Sequence, residues 1–384
     1  MMHWFLARKP GPTLLRMLLL IVIGGFAIQS VISQQRPATG SITDEFPKTD
    51  FTRAIISADE IISGGPPRDG IPALDDPDFI PASRARWLHD REPVIVVTVD
   101  DESRAYPLQI MIWHEIVNDE INGKPLSITF CPLCNATLVF EREFDGQVLD
   151  FGTTGRLRMS DLVMYDRQTE TWWQQFTGQG LIGKYAGFTL TEYPAAIVAF
   201  EDFSSDHPEG KVLSRRTGHN RPYGDNPYRG YDRIDQSPFM FEGDLDPRLP
   251  PMERVLAVRV GETSRIYPFG RFEAGQVVNE EVAEKPVVVI AAGEAFSALD
   301  RERIARSRRV PSLNAFERRV GDRVLTFEMR DGEIFDTETE SRWTPLGQAQ
   351  EGPLAGEQLA GIPGGVHFAF AWLAFRPDTS IYGQ

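Results

Sequence analysis

Val97-Thr98-Val99-Asp100-Asp101-Glu102-Ser103-Arg104-Ala105-Tyr106-Pro107 returns 161 positions later as Val258-Arg259-Val260-Gly261-Glu262-Thr263-Ser264-Arg265-Ile266-Tyr267-Pro268. The same offset carries Val117-Asn118-Asp119 to Val278-Asn279-Glu280, and Lys124-Pro125 to Lys285-Pro286. Apolar runs follow at 126–130 and 287–291. The match resumes with Phe140-Glu141-Arg142 against Phe316-Glu317-Arg318, and again with 166–173 against 336–343, each ending in Trp. Agreement in order over this many positions reads as two copies of one unit.

Within each copy, short β-branched runs alternate with Gly, Asp and Pro punctuation, the pattern of antiparallel hairpins and meanders. Examples are 93–99, 126–130, 137–142 and 148–151, echoed by 255–260, 287–291 and 324–328. Helical spacing is confined to 107–118, its match 269–279, and 298–308. The expected class is mainly β (α+β): two copies of an antiparallel β-rich unit, each with a short helix, in one compact two-lobed body. The expected division is a signal or anchor segment over 1–33, a polar linker 34–58, a first copy 59–203, a connector 204–251 and a second copy 252–384. The connector is rich in Pro, Gly and Asp but also carries Tyr223, Tyr228, Tyr231, Phe239 and Phe241, so it reads as ordered.

Duplication supplies an internal control. Residues kept in both copies serve the fold, whereas residues reactive in one and inert in the other are site candidates. At the common offset His114 meets Gly275, Cys131 meets Ala292 and Cys134 meets Ala295. The first copy is also longer between Phe151 and Asp166 than the second between Phe327 and Asp336. The extra residues, within 152–162, include Arg156, Met159, Ser160 and Asp161 and are expected to border the cysteines.

Cys131 and Cys134 are the only cysteines, too few and too close for a disulfide scaffold. Strand-like runs on both sides put Cys131-Pro132-Leu133-Cys134 at a hairpin tip, where two thiolates converge as in a metal knuckle. His114 is the expected third ligand. Two sulfurs and an imidazole suit a zinc or copper ion, and a thioether from Met159 tilts the choice toward Cu(I). An open fourth position suits catalysis or transfer, and a closed one suits structure. Arg156, Ser160 and Asp161 are expected to line the site and to suit a small polar ligand beside the ion. Two other readings of the pair stay open: a thiol–disulfide couple, and a structural bridge across a very short loop. The chain has no Gly-x-Ser-x-Gly elbow, phosphate loop or His-Glu-x-x-His, so no enzyme class follows.

Arg8, Lys9 and Arg16 precede an apolar run over 17–28, the layout of an export signal or a single N-terminal span. Positive charge before that run puts the rest of the chain outside the cytoplasm. The protein is then either held by that span, its sole membrane contact, or released by cleavage near Ser33. The first 36 residues hold four positive and no negative charges, so the formal charge falls from −15 for the whole chain to −19 for the remainder. Such an acidic surface excludes nucleic acid as a partner class.

Gly64-Gly65-Pro66-Pro67-Arg68-Asp69-Gly70-Ile71-Pro72-Ala73-Leu74 resembles the entry motif of a family catalogued as domain of unknown function 3179. Further motifs of that family match Trp113-His114-Glu115-Ile116-Val117-Asn118-Asp119, Phe130-Cys131-Pro132-Leu133-Cys134-Asn135 and Leu162-Val163-Met164-Tyr165-Asp166-Arg167-Gln168-Thr169. In the connector, Asn226-Pro227-Tyr228-Arg229-Gly230-Tyr231 is similar as well. The resemblance implies an exported bacterial protein and singles out His114, Cys131 and Cys134; it brings no activity. The turn residues of the entry motif are expected to fold it back over the site, with Asp69 nearby.

Overall fold

The strand Pro93–Val99 is apolar on both faces and nearly every residue is buried, so it lies inside a sheet with both sides covered. It forms a hairpin with Glu102–Pro107, in the register Val97 to Arg104. Ala196–Ala199 pairs with its other edge, and Lys211–Leu213 runs parallel to Glu102–Pro107. In the second half, Arg254–Val260 and Thr263–Pro268 make the corresponding hairpin, with Val258 opposite Arg265. Gly364–Phe368 takes the place of Ala196–Ala199, and Ser380–Ile381 runs parallel to Thr263–Pro268. Lys211–Leu213, which falls in the stretch expected to be connector, is thus a member of the first-half sheet.

This computed structural model describes residues 42–384. The expected signal or anchor segment over 1–33, and the start of the linker, lie outside the described residues. Among those described, no helix is long and apolar enough to cross a membrane.

A second layer is the meander Ile116–Ile121, Lys124–Cys131 and Ala136–Glu141, matched by Gln276–Val282, Lys285–Phe296 and Arg309–Glu317. A third is built on Phe151–Arg158, Asp161–Asp166 and Trp172–Gln174, against Phe327–Arg330, Glu333–Asp336 and Arg342–Trp343. The molecule is mainly β, with several separate sheets.

The same side-chain bonds recur in both halves. Asn118 exchanges two hydrogen bonds with the backbone of Phe151, and Asn279 does so with Phe327. Asp166 accepts from the Trp173 indole at 2.9 Å, and Asp336 accepts from Trp343 at 2.9 Å. Tyr106 donates to Asp119, as Tyr267 does to Glu280. Each satisfies polar groups that would be costly to bury alone.

The helical expectations shrink. Leu108–His114 is a helix, but Glu115 at φ 60° ends it and the β-branched Ile116-Val117 starts a strand. Its match is only the short 3-10 turn Phe269–Arg271, because Gly270 and Gly275 weaken a helix there. The stretch 298–308 holds just the turn Ile304–Arg306. The described residues belong to one compact unit. Its main core joins Ile128, Phe130 and Met164 of the first half to Val255, Phe368 and Trp372 of the second.

Candidate metal centre

Cys131 closes the strand Lys124–Cys131 opposite Ala136, and the four residues between them form the turn. Asn135 there adopts φ 47°, a left-handed conformation that asparagine tolerates. The tight reversal turns both sulfurs to one side, and they are free thiols. The second half has no such turn. Lys285–Phe296 continues through Ala292 and Ala295, with only an irregularity between Ala291 and Glu294.

Asp161 arrives from the elongated hairpin. Phe151 faces Asp166 just as Phe327 faces Asp336, so the extra residues of the first half extend the hairpin outward to Arg158 and Asp161. The two loop residues, Met159 and Ser160, both have positive φ (52° and 67°), as a type I′ turn requires. Neither is Gly or Asn, so this turn carries backbone strain of about 1 kcal/mol or more per residue. It brings the Ser160 carbonyl to 3.9 Å from Cys131 Sγ and drives Asp161 into the interior.

One ligand atom from each of Cys131, Cys134 and Asp161 lies within 4.8 Å of the other two. The residues are 2 %, 0 % and 0 % exposed. Asp161 Oδ2 accepts from Gln174 Nε2 at 2.6 Å and from the Phe176 N–H at 2.9 Å. Its Oδ1 is buried with no N–H or O–H donor, and besides those two bonds only the weakly donating Cys131 and Cys134 thiols reach the carboxyl, a costly condition for a carboxylate oxygen. Burial pushes Asp161 up to about 7, against the pull of those two bonds and of the Cys131 and Cys134 thiols. It also raises Cys131, and Cys134 well above its usual value. Glu115 is buried as well and is pushed up to about 8, first by burial and then by the charge of Asp161. Its charge also bears on Cys131. Three acidic groups thus converge, with Glu115 near enough for its charge to bear on two of them, and no Lys or Arg pairs with any of the four among the described residues. Such a set keeps its protons or takes a cation.

His114, the expected third ligand, is not in the cluster. Its Nδ1 donates to the Pro72 carbonyl at 2.7 Å, and its Nε2 accepts from the Tyr223 hydroxyl at 2.6 Å. Burial lowers its pKa to about 4 despite the Pro72 bond, so the ring is neutral. The left-handed Glu115 reverses the chain at the helix end, turning His114 and Glu115 to different sides. Asp161 takes its place in the group of side chains that could hold an ion.

The other expected lining residues are engaged elsewhere. Arg156 pairs with Glu45 at 2.6 Å and lies over Phe46 and Trp172. The Met159 sulfur lies against Gly243 of the connector. Ser160 Oγ donates to the Phe239 carbonyl at 2.6 Å. The entry motif does fold back, but onto the hairpin: a Cβ on Gly155 would lie 2.0 Å from the Pro66 carbonyl oxygen. Asp69 there accepts from the Tyr165 hydroxyl.

The residues that sequence reasoning passed over are Glu115 and the connector tyrosines. Glu115 meets Gln276 at the common offset, the same loss of an acidic group that marked the cysteines. Tyr231 donates to the Leu133 carbonyl, in the cysteine turn, and accepts from the Phe239 N–H, both at 3.0 Å. Tyr228, partly buried against the main core, feels the charges of Glu115 and Cys131. The connector thus ties the tips of both hairpins together over the thiols.

A family model described as Protein of unknown function (DUF3179) matches residues 68–379. The chain belongs to this family. The match takes in the cysteine turn, Glu115, the long hairpin and the connector, so the whole cluster lies inside the family's domain. Among curated proteins and among solved structures, the comparisons found no match.

Proposed function

We propose that this protein works outside the cytoplasm and holds one transition-metal ion, zinc or copper, between Cys131, Cys134 and Asp161. The observation that carries this reading is the convergence of those three buried ligands on a spot where Asp161 Oδ1 has no other partner. Glu115 is the further acidic group facing that spot. Sulfur and carboxylate donors suit zinc better than copper once the imidazole of His114 and the thioether of Met159 point elsewhere. The buried setting under Tyr228 and Tyr231 favours a closed, retained ion over an open centre.

Two further parts belong to the same proposal. The halves are copies of one β-rich unit, supported by the constant offset and the recurring side-chain bonds, and only the first retains ligands. The acidic body is exported through the segment 1–33, which then anchors it or is cleaved.

The alternative, a thiol–disulfide couple, has in its favour that the two sulfurs are close and free. Against it, among the described residues neither thiol has a neighbouring cation to stabilise the thiolate that exchange requires.

Metal analysis of full-length protein purified anaerobically from its native compartment tests the reading. One zinc or copper per chain is expected. Cys131→Ser, Cys134→Ser and Asp161→Asn should each weaken binding at least about tenfold, while His114→Ala should retain the ion. Wild-type metal content in Asp161→Asn, or wild-type protein free of metal, would sink the proposal.

A further inference from the structure

A cavity of about 390 Å³ opens where the two halves meet, away from the thiol cluster. Ala196 and Ile197 wall it from the first half; Leu256, Ala315, Phe316 and Val366 wall it from the second. None of Glu115, Cys131, Cys134 or Asp161 lines it. Asp100, Gln358 and Ala360, which also line it, are exposed, so the cavity reaches solvent. Interiors pack densely, and an apolar hollow of this size is a cost to the fold unless something fills it. Its volume falls within the range of small-molecule sites.

The polar groups on its walls say what kind of molecule fits. No Lys or Arg lines it, and burial lowers the pKa of His207, the histidine on its wall, so nothing there neutralises an anion. Tyr193 already donates to the Thr98 carbonyl at 2.9 Å. Asn314 is buried, and its Oδ1 accepts from the Ile197 N–H at 3.2 Å, which orients the amide. The Asn314 Nδ2 is left with no partner, as is the buried Thr137 Oγ1 on the same wall. Asn314 faces Ile290 across the sheet, where the first half has Leu138 facing Thr129. A buried amide donor in the place of leucine destabilises the fold unless a hydrogen-bond acceptor meets it.

We infer that this junction binds a neutral, mostly apolar small molecule carrying one hydrogen-bond acceptor, such as an ester or ketone carbonyl, which Asn314 recognises. The inference stands apart from the metal reading and does not depend on it.

The test uses full-length protein and displacement of the neutral fluorophore N-phenyl-1-naphthylamine, with methyl decanoate, undecane and decanoate as competitors. Methyl decanoate should displace the probe at concentrations at least about tenfold lower than undecane, and decanoate should compete worse than its ester. Asn314→Leu should bring ester and alkane within about twofold of each other while probe binding persists. Ala315→Trp should abolish saturable binding; if it fails to melt cooperatively, Ala360→Trp at the mouth serves in its place. An ester preference that survives Asn314→Leu, or saturable binding that survives the tryptophan block, overturns the inference. So does the absence of saturable binding in the wild type.

Discussion

At the tip of the first-half meander the chain turns sharply and aims Cys131 and Cys134 at Asp161. At the equivalent point of the second half the strand continues through Ala292 and Ala295 with only a local irregularity. Around both points the frame is held by the same bonds, from Asn118 or Asn279 to the next hairpin and from Asp166 or Asp336 to a buried tryptophan. The contrast separates two kinds of buried polar group. Those with full sets of partners occur in both halves and hold strands in register. Unpartnered buried atoms occur in both halves, but a cluster of buried acidic groups occurs in the first alone, on Cys131, Cys134 and Glu115, whose counterparts are Ala, Ala and Gln, and on Asp161, which has none. A polar side chain that satisfies no neighbour is a cost to the fold, and it marks where a ligand is expected.

The largest expected effect comes from making the first half resemble the second. The triple variant Glu115→Gln, Cys131→Ala, Cys134→Ala should bind zinc or copper at least about three orders of magnitude more weakly, because two thiolates and the neighbouring charge disappear together. Competition against a chelator of known affinity measures this. Undiminished binding would mean that the difference between the halves has nothing to do with a metal.

A smaller and symmetric effect is expected from the shared frame. Asp166 accepts from the Thr169 N–H, the Thr169 hydroxyl and the Trp173 indole, and Asp336 accepts the same three bonds from Thr339 and Trp343. Both carboxylates are fully buried. Asp166→Ala and Asp336→Ala should each cost about 3 kcal/mol in urea unfolding, since each strands several buried donors. A large loss for one and none for the other would break the equivalence.

The smallest effect concerns the helices that follow the flanking strands. Phe200–Asp206 carries Asp202 and Asp206, whereas Ala369–Phe375 has Ala371 and Phe375 at the same steps from the strand end. Burial pushes both aspartates up to about 6. Glu201 and Asp206 reinforce the shift of Asp202 against Arg91, and Thr344 opposes that of Asp206. A carboxyl whose folded pKa is raised binds its proton more tightly when folded. Its contribution is therefore complete below about pH 4 and is lost as pH rises through about 6, by about 2 kcal/mol or less per group. Stability should fall over that interval, and Asp202→Ala should flatten the fall by about half. An unchanged slope in the variant would assign the pH dependence to other groups.

Much of the frame was legible before any coordinates. Period-two alternation marked runs such as 93–99, 126–130 and 137–142 as strands of antiparallel hairpins, because burial of alternate residues fixes which face turns inward. Paired comparison of the halves also drew attention to Cys131 and Cys134. Helix extents were less legible. Whether 269–279 coils or extends depends on the sheet it packs against, and tertiary pairing overrode the weak helical spacing there. The cluster was legible in part. Cys131 and Cys134 stood out against Ala292 and Ala295, and the extra stretch of hairpin offered Asp161 as a lining residue beside the ion, while Glu115 was passed over although it meets Gln276.

The sequence by itself determined a mainly β chain with a recurring motif order, one close pair of thiols, and a first half longer and more reactive than the second. These depend on residue type and spacing along the chain, which folding does not alter. Only the tertiary structure decided that Asp161 rather than His114 meets the cysteines, that the charge of Glu115 bears on them, and that the connector tyrosines lie beside their turn. Those outcomes turn on backbone direction at a few residues. A left-handed Glu115 rotates its neighbour away, and a strained Met159-Ser160 turn drives a carboxylate inward. Such local reversals are selected by packing against distant segments, and spacing along the chain does not encode them.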